Sequence, residues 1–95
     1  MGKKEYIGSR PKLREYIDED LGKSKFLVLH NDDIHTFDYV IESLISICKM
    51  ETIQAEQCTF LVHYKGKCDI KKGTAHYLKP LKNGLIDRGL NATIE

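Results

Sequence analysis

Polar and apolar positions along the chain change rhythm several times, and each change marks an element. Phe26-Leu27-Val28-Leu29 is a short apolar run between polar flanks, the pattern of a buried strand. His30-Asn31-Asp32-Asp33 follows, and Asn and Asp favour turns because their short side chains bond to nearby backbone. From Phe37 the rhythm is helical: Phe37, Val40, Ile41, Leu44, Ile45 and Cys48 recur at three- and four-residue steps and share one face. Thr36 stands where an N-cap is needed, and Asp38 falls in the first turn, where the helix dipole favours a carboxylate. A second helix is expected from a Thr52 cap, with Ala55, Cys58, Leu61 and Val62 on its inner face and Gly66 as its stop. Cys68 to Ile70 suits a brief strand.

Thr74 is placed to cap a third helix carrying Ala75, Leu78, Leu81 and Leu85. Pro80 requires that helix either to start late, with Pro80 in its first turn, or to kink. Arg88-Gly89 reads as its stop. Leu90, Ala92 and Ile94 then alternate with Asn91, Thr93 and Glu95, a closing strand with one buried face. The order strand, helix, helix, strand, helix, strand predicts an α+β domain, a small three-stranded antiparallel sheet packed against three helices. Residues 25–95 form this folded unit. Residues 1–24 read as a mobile N-terminal tail, crowded with charge and punctuated by Gly8, Pro11 and Gly22.

Ninety-five residues suffice for one domain with a modest core. The net charge of +1, with both signs mixed along the chain, points away from nucleic acid and acidic membranes, which reward a basic patch. No apolar run is long enough to span a bilayer, and the first residues lack a signal-peptide core, so a cytoplasmic protein is expected. Cys48, Cys58 and Cys68 form no CxxC pair, and free thiols are expected.

Polar residues that interrupt the apolar rhythm gather at 30–35 (His30, Asn31, Asp32, Asp33, His35) and at His63. Three readings stand side by side. Asp32 and Asp33 make a turn and His63 is a solvated helix-end imidazole; or His30, Asp32, Asp33, His35 and His63 hold zinc or iron; or the loop receives a cation, since Asn, Asp and neutral His all supply acceptors. Neither a nucleophile–base pair nor a glycine-rich phosphate loop is present, so no enzyme and no cofactor are expected.

The stretch from Phe26 through the Asn31-Asp32-Asp33 turn to Ile41, together with Leu61-Val62-His63-Tyr64-Lys65-Gly66-Lys67, resembles the ClpS family of adaptors. The resemblance runs from about Lys25 to Glu95. It implies an adaptor that binds N-degron substrates, polypeptides with Leu, Phe, Tyr or Trp as a free first residue. Such an adaptor delivers them to a Clp AAA+ ATPase–protease through the N-domain of a ClpA- or ClpC-like partner. By the same resemblance, the peptide α-amine falls to Asn31, Asp32, Asp33 and His63. The side-chain pocket falls to His35, Phe37, Val40, Thr59, Val62 and Leu90. The tail is then expected to be dispensable for peptide binding and needed for delivery. His35 stands where the family usually has Thr, and Phe37 where it usually has Met. Outside this class, the alternatives are a small metal-binding protein using the His/Asp loop at 30–35 and a structural partner domain of the kind found in ribosomal stalks.

Overall fold

The middle of the sheet is β1 (Lys25–His30), flanked by β2 (Lys67–Gly73) and β3 (Asn91–Ile94), both antiparallel to it, in a computed structural model whose described residues are 24–95. The helices are α1 (Phe37–Cys48), α2 (Thr52–Lys65) and α3 (Ala75–Asp87). The expected α+β class and element order are those observed. The expected tail, residues 1–24, lies almost wholly outside the described residues.

Successive strand side chains point to opposite faces. Leu27 and Leu29 therefore look the same way, into a core closed by Leu44 and Cys48 of α1, Ala55, Cys58 and Val62 of α2, and Leu78 and Leu85 of α3. The β1–β2 register slips between Leu27↔Lys71 and Val28↔Asp69, so Ile70 is the extra residue of a bulge. Ile70 is buried in that core. β2 runs well past the brief strand expected at Cys68 to Ile70, because the bulge accommodates Ile70 while Lys71 to Gly73 go on pairing with β1.

Helix starts follow local chemistry. The Thr36 hydroxyl accepts from the Tyr39 amide at 3.2 Å, and the Thr74 hydroxyl accepts from the Tyr77 amide at 3.1 Å. α2 differs from expectation: Glu51 is its N-cap, without a side-chain cap bond, and Thr52 is its first helical residue. Its inner face also differs. Thr59 is buried, whereas Leu61 is 41% exposed. Ala55, Cys58, Thr59 and Val62 follow three- and four-residue steps, and Leu61, adjacent to Val62, is turned about 100° away. α3 begins at Ala75 and runs through Pro80, which rules out the late start. Pro80 removes one backbone bond; the Thr74 cap and full burial of Leu78 and Leu85 hold the helix on either side of it.

All three cysteines are free thiols. Burial pushes the Cys48 thiol up to about 11.

Candidate functional site

The site is assembled where β1 ends beside the end of α2. Gly66 caps α2 with φ +93°, a left-handed conformation that suits glycine, and its amide donates to the Val62 carbonyl at 3.0 Å. The carbonyl of Gly66 in turn accepts from the Asn31 amide at 2.9 Å. This bond, next to the His30↔Lys67 pair of the sheet, holds the turn after β1 against the helix end that carries His63.

Asp32 braces that turn. Its Oδ1 accepts from the amides of Ile34 at 2.8 Å and His35 at 2.9 Å, and the His35 Nδ1 lies 3.1 Å from both carboxylate oxygens. Partial burial alone would raise this carboxyl's pKa. The amide bonds from His35 and Ile34, with the His35 ring, outweigh that and hold it below 3.8. The His35 ring stacks on Tyr39 with centroids 4.8 Å apart and planes 16° from parallel. The Tyr39 hydroxyl donates to the Arg88 carbonyl at 2.6 Å, and the Arg88 guanidinium lies 5.2 Å over the Tyr39 ring. Asp32, His35, Tyr39 and Arg88 therefore form one brace from the turn through α1 to the end of α3.

With Asp32 occupied, the turn presents Asn31 and Asp33. Both are exposed. Among the described residues, their side chains make no hydrogen bond or ion pair with another residue. His63 projects from the last turn of α2, its ring set edge-on to Phe37 at 5.1 Å and to Tyr64 at 5.1 Å.

A cavity of about 300 Å³ opens between these groups. Asn31, Asp32, Asp33 and His63 line its polar side. His35, Phe37, Val40, Thr59, Val62 and Leu90 line the rest. Thr59 is buried, and its hydroxyl donates to the Ala55 carbonyl at 2.8 Å, so it adds no unsatisfied polar group to the wall. Phe37 is 38% exposed, which places it at the mouth and not in the core. All ten residues singled out in the sequence thus share one cavity. Leu29, Thr36 and His30 also line it; Leu29 and Thr36 were expected only as strand and cap residues, and His30 only as a candidate metal ligand. Each lies within the 29–37 stretch, so adjacency to the turn was the available signal. Tyr39 could have been associated with His35 through their four-residue spacing on a helix. Its bond to Arg88 crosses the fold and leaves no local trace.

The cavity is chemically two-sided. One side offers a carboxylate, an amide and an imidazole, acceptors suited to a small cation with several donors. The other is formed mainly by apolar side chains. Among the described residues, no cluster of three or more His, Cys, Asp or Glu side chains is arranged to hold a metal ion, so the metal-binding alternative lacks a donor set there. No described helix is long and apolar enough to cross a membrane.

What fold and cavity define is a small α+β domain with an acceptor-lined recess between a strand-end turn and a helix end. The sequence matches the family described as ATP-dependent Clp protease adaptor protein ClpS over residues 23–93, and the chain belongs to the ClpS family. No curated protein matches it. Among solved structures it is similar to Agrobacterium tumefaciens ClpS2 bound to L-phenylalaninamide, with a TM-score of 0.65 and 16% sequence identity, over 77% of this chain and 95% of that one. At that identity the likeness is one of fold.

Proposed function

We propose that the cavity binds the free α-amino group and bulky hydrophobic first side chain (Leu, Phe, Tyr or Trp) of N-degron polypeptides. The domain then holds this cargo for a Clp AAA+ ATPase–protease, by way of the N-domain of a ClpA- or ClpC-like partner. The observation that carries the reading is the convergence of Asn31 and Asp33 with His63, thirty residues further along, on one side of a cavity whose other side is mainly apolar.

A protonated α-amine has three N–H donors in a tripod, and these three side chains offer three acceptors. Asp33 supplies the countercharge. Asp32 holds the turn in shape and adds to the negative potential. L-phenylalaninamide, the ligand of the similar ClpS2, has the same two-part chemistry: a free amine, an aromatic side chain and no carboxylate. The role is one of holding and needs no cofactor. Residues 1–24 are proposed to act in delivery, not in binding.

The test is a fluorescence-anisotropy series on labelled peptides that differ only at residue one. Leu-, Phe- and Tyr-initiated peptides should bind and Gly- or Asp-initiated ones should not. Equal binding across the series would overturn the reading. Delivery is tested separately, by turnover of a Leu-initiated substrate in a reconstituted Clp protease with the full chain and with a chain lacking residues 1–24.

A further inference from the structure

Beyond the cavity, the outer face of α2 carries large apolar side chains that are substantially exposed. Phe60 is 53% exposed, Leu61 41% and Tyr64 68%. Beside Phe60 and Leu61 lies an open, mainly apolar hollow edged by Glu56 and Gln57.

This face is continuous with the cavity mouth through a closed circuit of four rings. Phe37 meets His63 at 5.1 Å and Phe60 at 6.2 Å; Phe60 meets Tyr64 at 4.5 Å; Tyr64 meets His63 at 5.1 Å. Phe37 and His63 line the cavity, and Phe60 and Tyr64 lie outside it. Whatever chain leaves the cavity past Phe37 and His63 emerges beside Phe60 and Tyr64.

We infer that Phe60 and Tyr64 form a second recognition site for the same bound polypeptide, one that selects an aromatic or large apolar side chain at its third residue. The inference rests on the proposed capture of a polypeptide N-terminus in the cavity. Side chains of an extended chain alternate in direction, so residues one and three point the same way and lie about 6.6–6.8 Å apart. The 6.2 Å from the Phe37 ring to the Phe60 ring matches that step. With residue one beside Phe37, residue three falls on Phe60 and the hollow next to it, while residue two points away. The first residue tethers the chain, so this later contact forms at high effective concentration, and modest aromatic packing is enough to register in affinity. A polypeptide with large apolar residues at positions one and three is thereby preferred over one with a single N-terminal apolar residue.

The experiment is a set of free-amine Leu-initiated peptides with Phe, Leu, Ser or Asp at position three, or with Phe moved to position two, titrated against the full chain and its Phe60→Ser and Tyr64→Ser variants. Phe at position three should bind about fivefold more tightly than Ser, the ratio that roughly 1 kcal/mol of aromatic packing produces. Phe at position two should give no such gain. Either variant should bring the Phe-to-Ser ratio at position three within about twofold, and because both residues are more than half exposed, thermal melts should confirm folded variants. A ratio near one in the wild type, a gain at position two instead of three, or a ratio preserved in both variants overturns the inference. Concentration-dependent self-association that either variant abolishes also overturns it, since the face would then belong to a second copy of the chain. A Gly-initiated control separates the two levels: if it binds as tightly as the Leu-initiated parent, the reading of the cavity has failed and this inference falls with it.

Discussion

The amide of Asn31 donates to the carbonyl of Gly66 at 2.9 Å. That bond continues the β1–β2 ladder one step past the His30↔Lys67 pair and joins the two halves of the candidate site, the turn after β1 and the last turn of α2. It depends on a helix that stops abruptly, which Gly66 achieves at φ +93°. A β-carbon there would meet nothing within 4 Å, so the cost of replacing this glycine is purely conformational. Gly66→Ala should destabilise by about 1–2 kcal/mol, and Gly66→Asn by less, because Asn tolerates the left-handed region. For a domain of this size each kcal/mol corresponds to a fall in Tm of roughly 4–8 °C. Thermal melts that rank Asn with Ala, or show no loss for either, would mean the cap is not what sets this junction.

Asp32 should matter to stability more than its place in a surface turn suggests. Asp32→Ala leaves the Ile34 and His35 amides without their acceptor, at an expected cost of about 1–2 kcal/mol. Folding lowers the pKa of this carboxyl from 3.8. The stability it contributes through that shift is fully present above 3.8 and is lost as the pH falls through the lower folded-state value. Asp32→Asn keeps an Oδ1 acceptor but cannot titrate. Its stability should therefore decline less steeply than wild type below about pH 4. Parallel acid limbs for the two proteins would remove Asp32 from the account.

The parts of this molecule legible in the sequence are those fixed by local chemistry. Phe37 to Cys48 declared a helix through its spacing, Thr36 and Thr74 declared its cap and that of α3, and Gly66 declared a stop. The Asn31-Asp32-Asp33 turn and His63 could be singled out because polar residues there broke apolar runs. What was not legible depends on contacts between distant segments. Phe60-Leu61-Val62 is apolar without interruption, and Leu61 and Val62 both lie at helical steps from Cys58; only the burial of polar Thr59 fixes the inner face, which takes Val62 inward and leaves Leu61 out. The division of labour between the two aspartates was likewise invisible. Asp32 is consumed by its own turn and Asp33 is not, a difference of backbone geometry between adjacent identical residues. Pro80 warned of a broken helix, yet burial of Leu78 and Leu85 carries α3 through it.

Phe37 should set the shape limit of the cavity. Its ring stands at the mouth against His63, where a Met would adapt through three rotatable bonds and a Phe is stiffer. A stiff wall near the ligand's Cβ disfavours Ile and Val, whose second branch leaves few rotamers. Leu or Phe as first residue should be preferred to Ile by about tenfold, or roughly 1.4 kcal/mol. Trp, the largest, should be the least favoured of the unbranched set. Phe37→Ala should narrow the Leu-to-Ile gap. The check is an affinity series on wild type and variant; an unchanged ratio would place the discrimination elsewhere in the wall.

Asp33 and His63 should be indispensable to binding and expendable to folding, since both are exposed and neither bonds another described residue. Asp33→Ala or His63→Ala should weaken a Leu-initiated peptide by at least about thirtyfold, the equivalent of 2 kcal/mol, as expected for removing one partner of a desolvated charge contact. Affinities within twofold of wild type for both variants, with melting curves unchanged, would detach these residues from the site.

The most direct measurement compares one Leu-initiated peptide with its N-acetylated form by isothermal titration calorimetry. Acetylation removes the positive charge and most of the donors while leaving the leucine side chain intact. If Asn31, Asp33 and His63 receive an α-ammonium group, the acetylated peptide should bind at least thirtyfold more weakly than the free one, about the loss expected for Asp33→Ala. Equal affinity for the two peptides would show that the cavity takes an apolar side chain without regard to the amine, and would contradict the account at its centre.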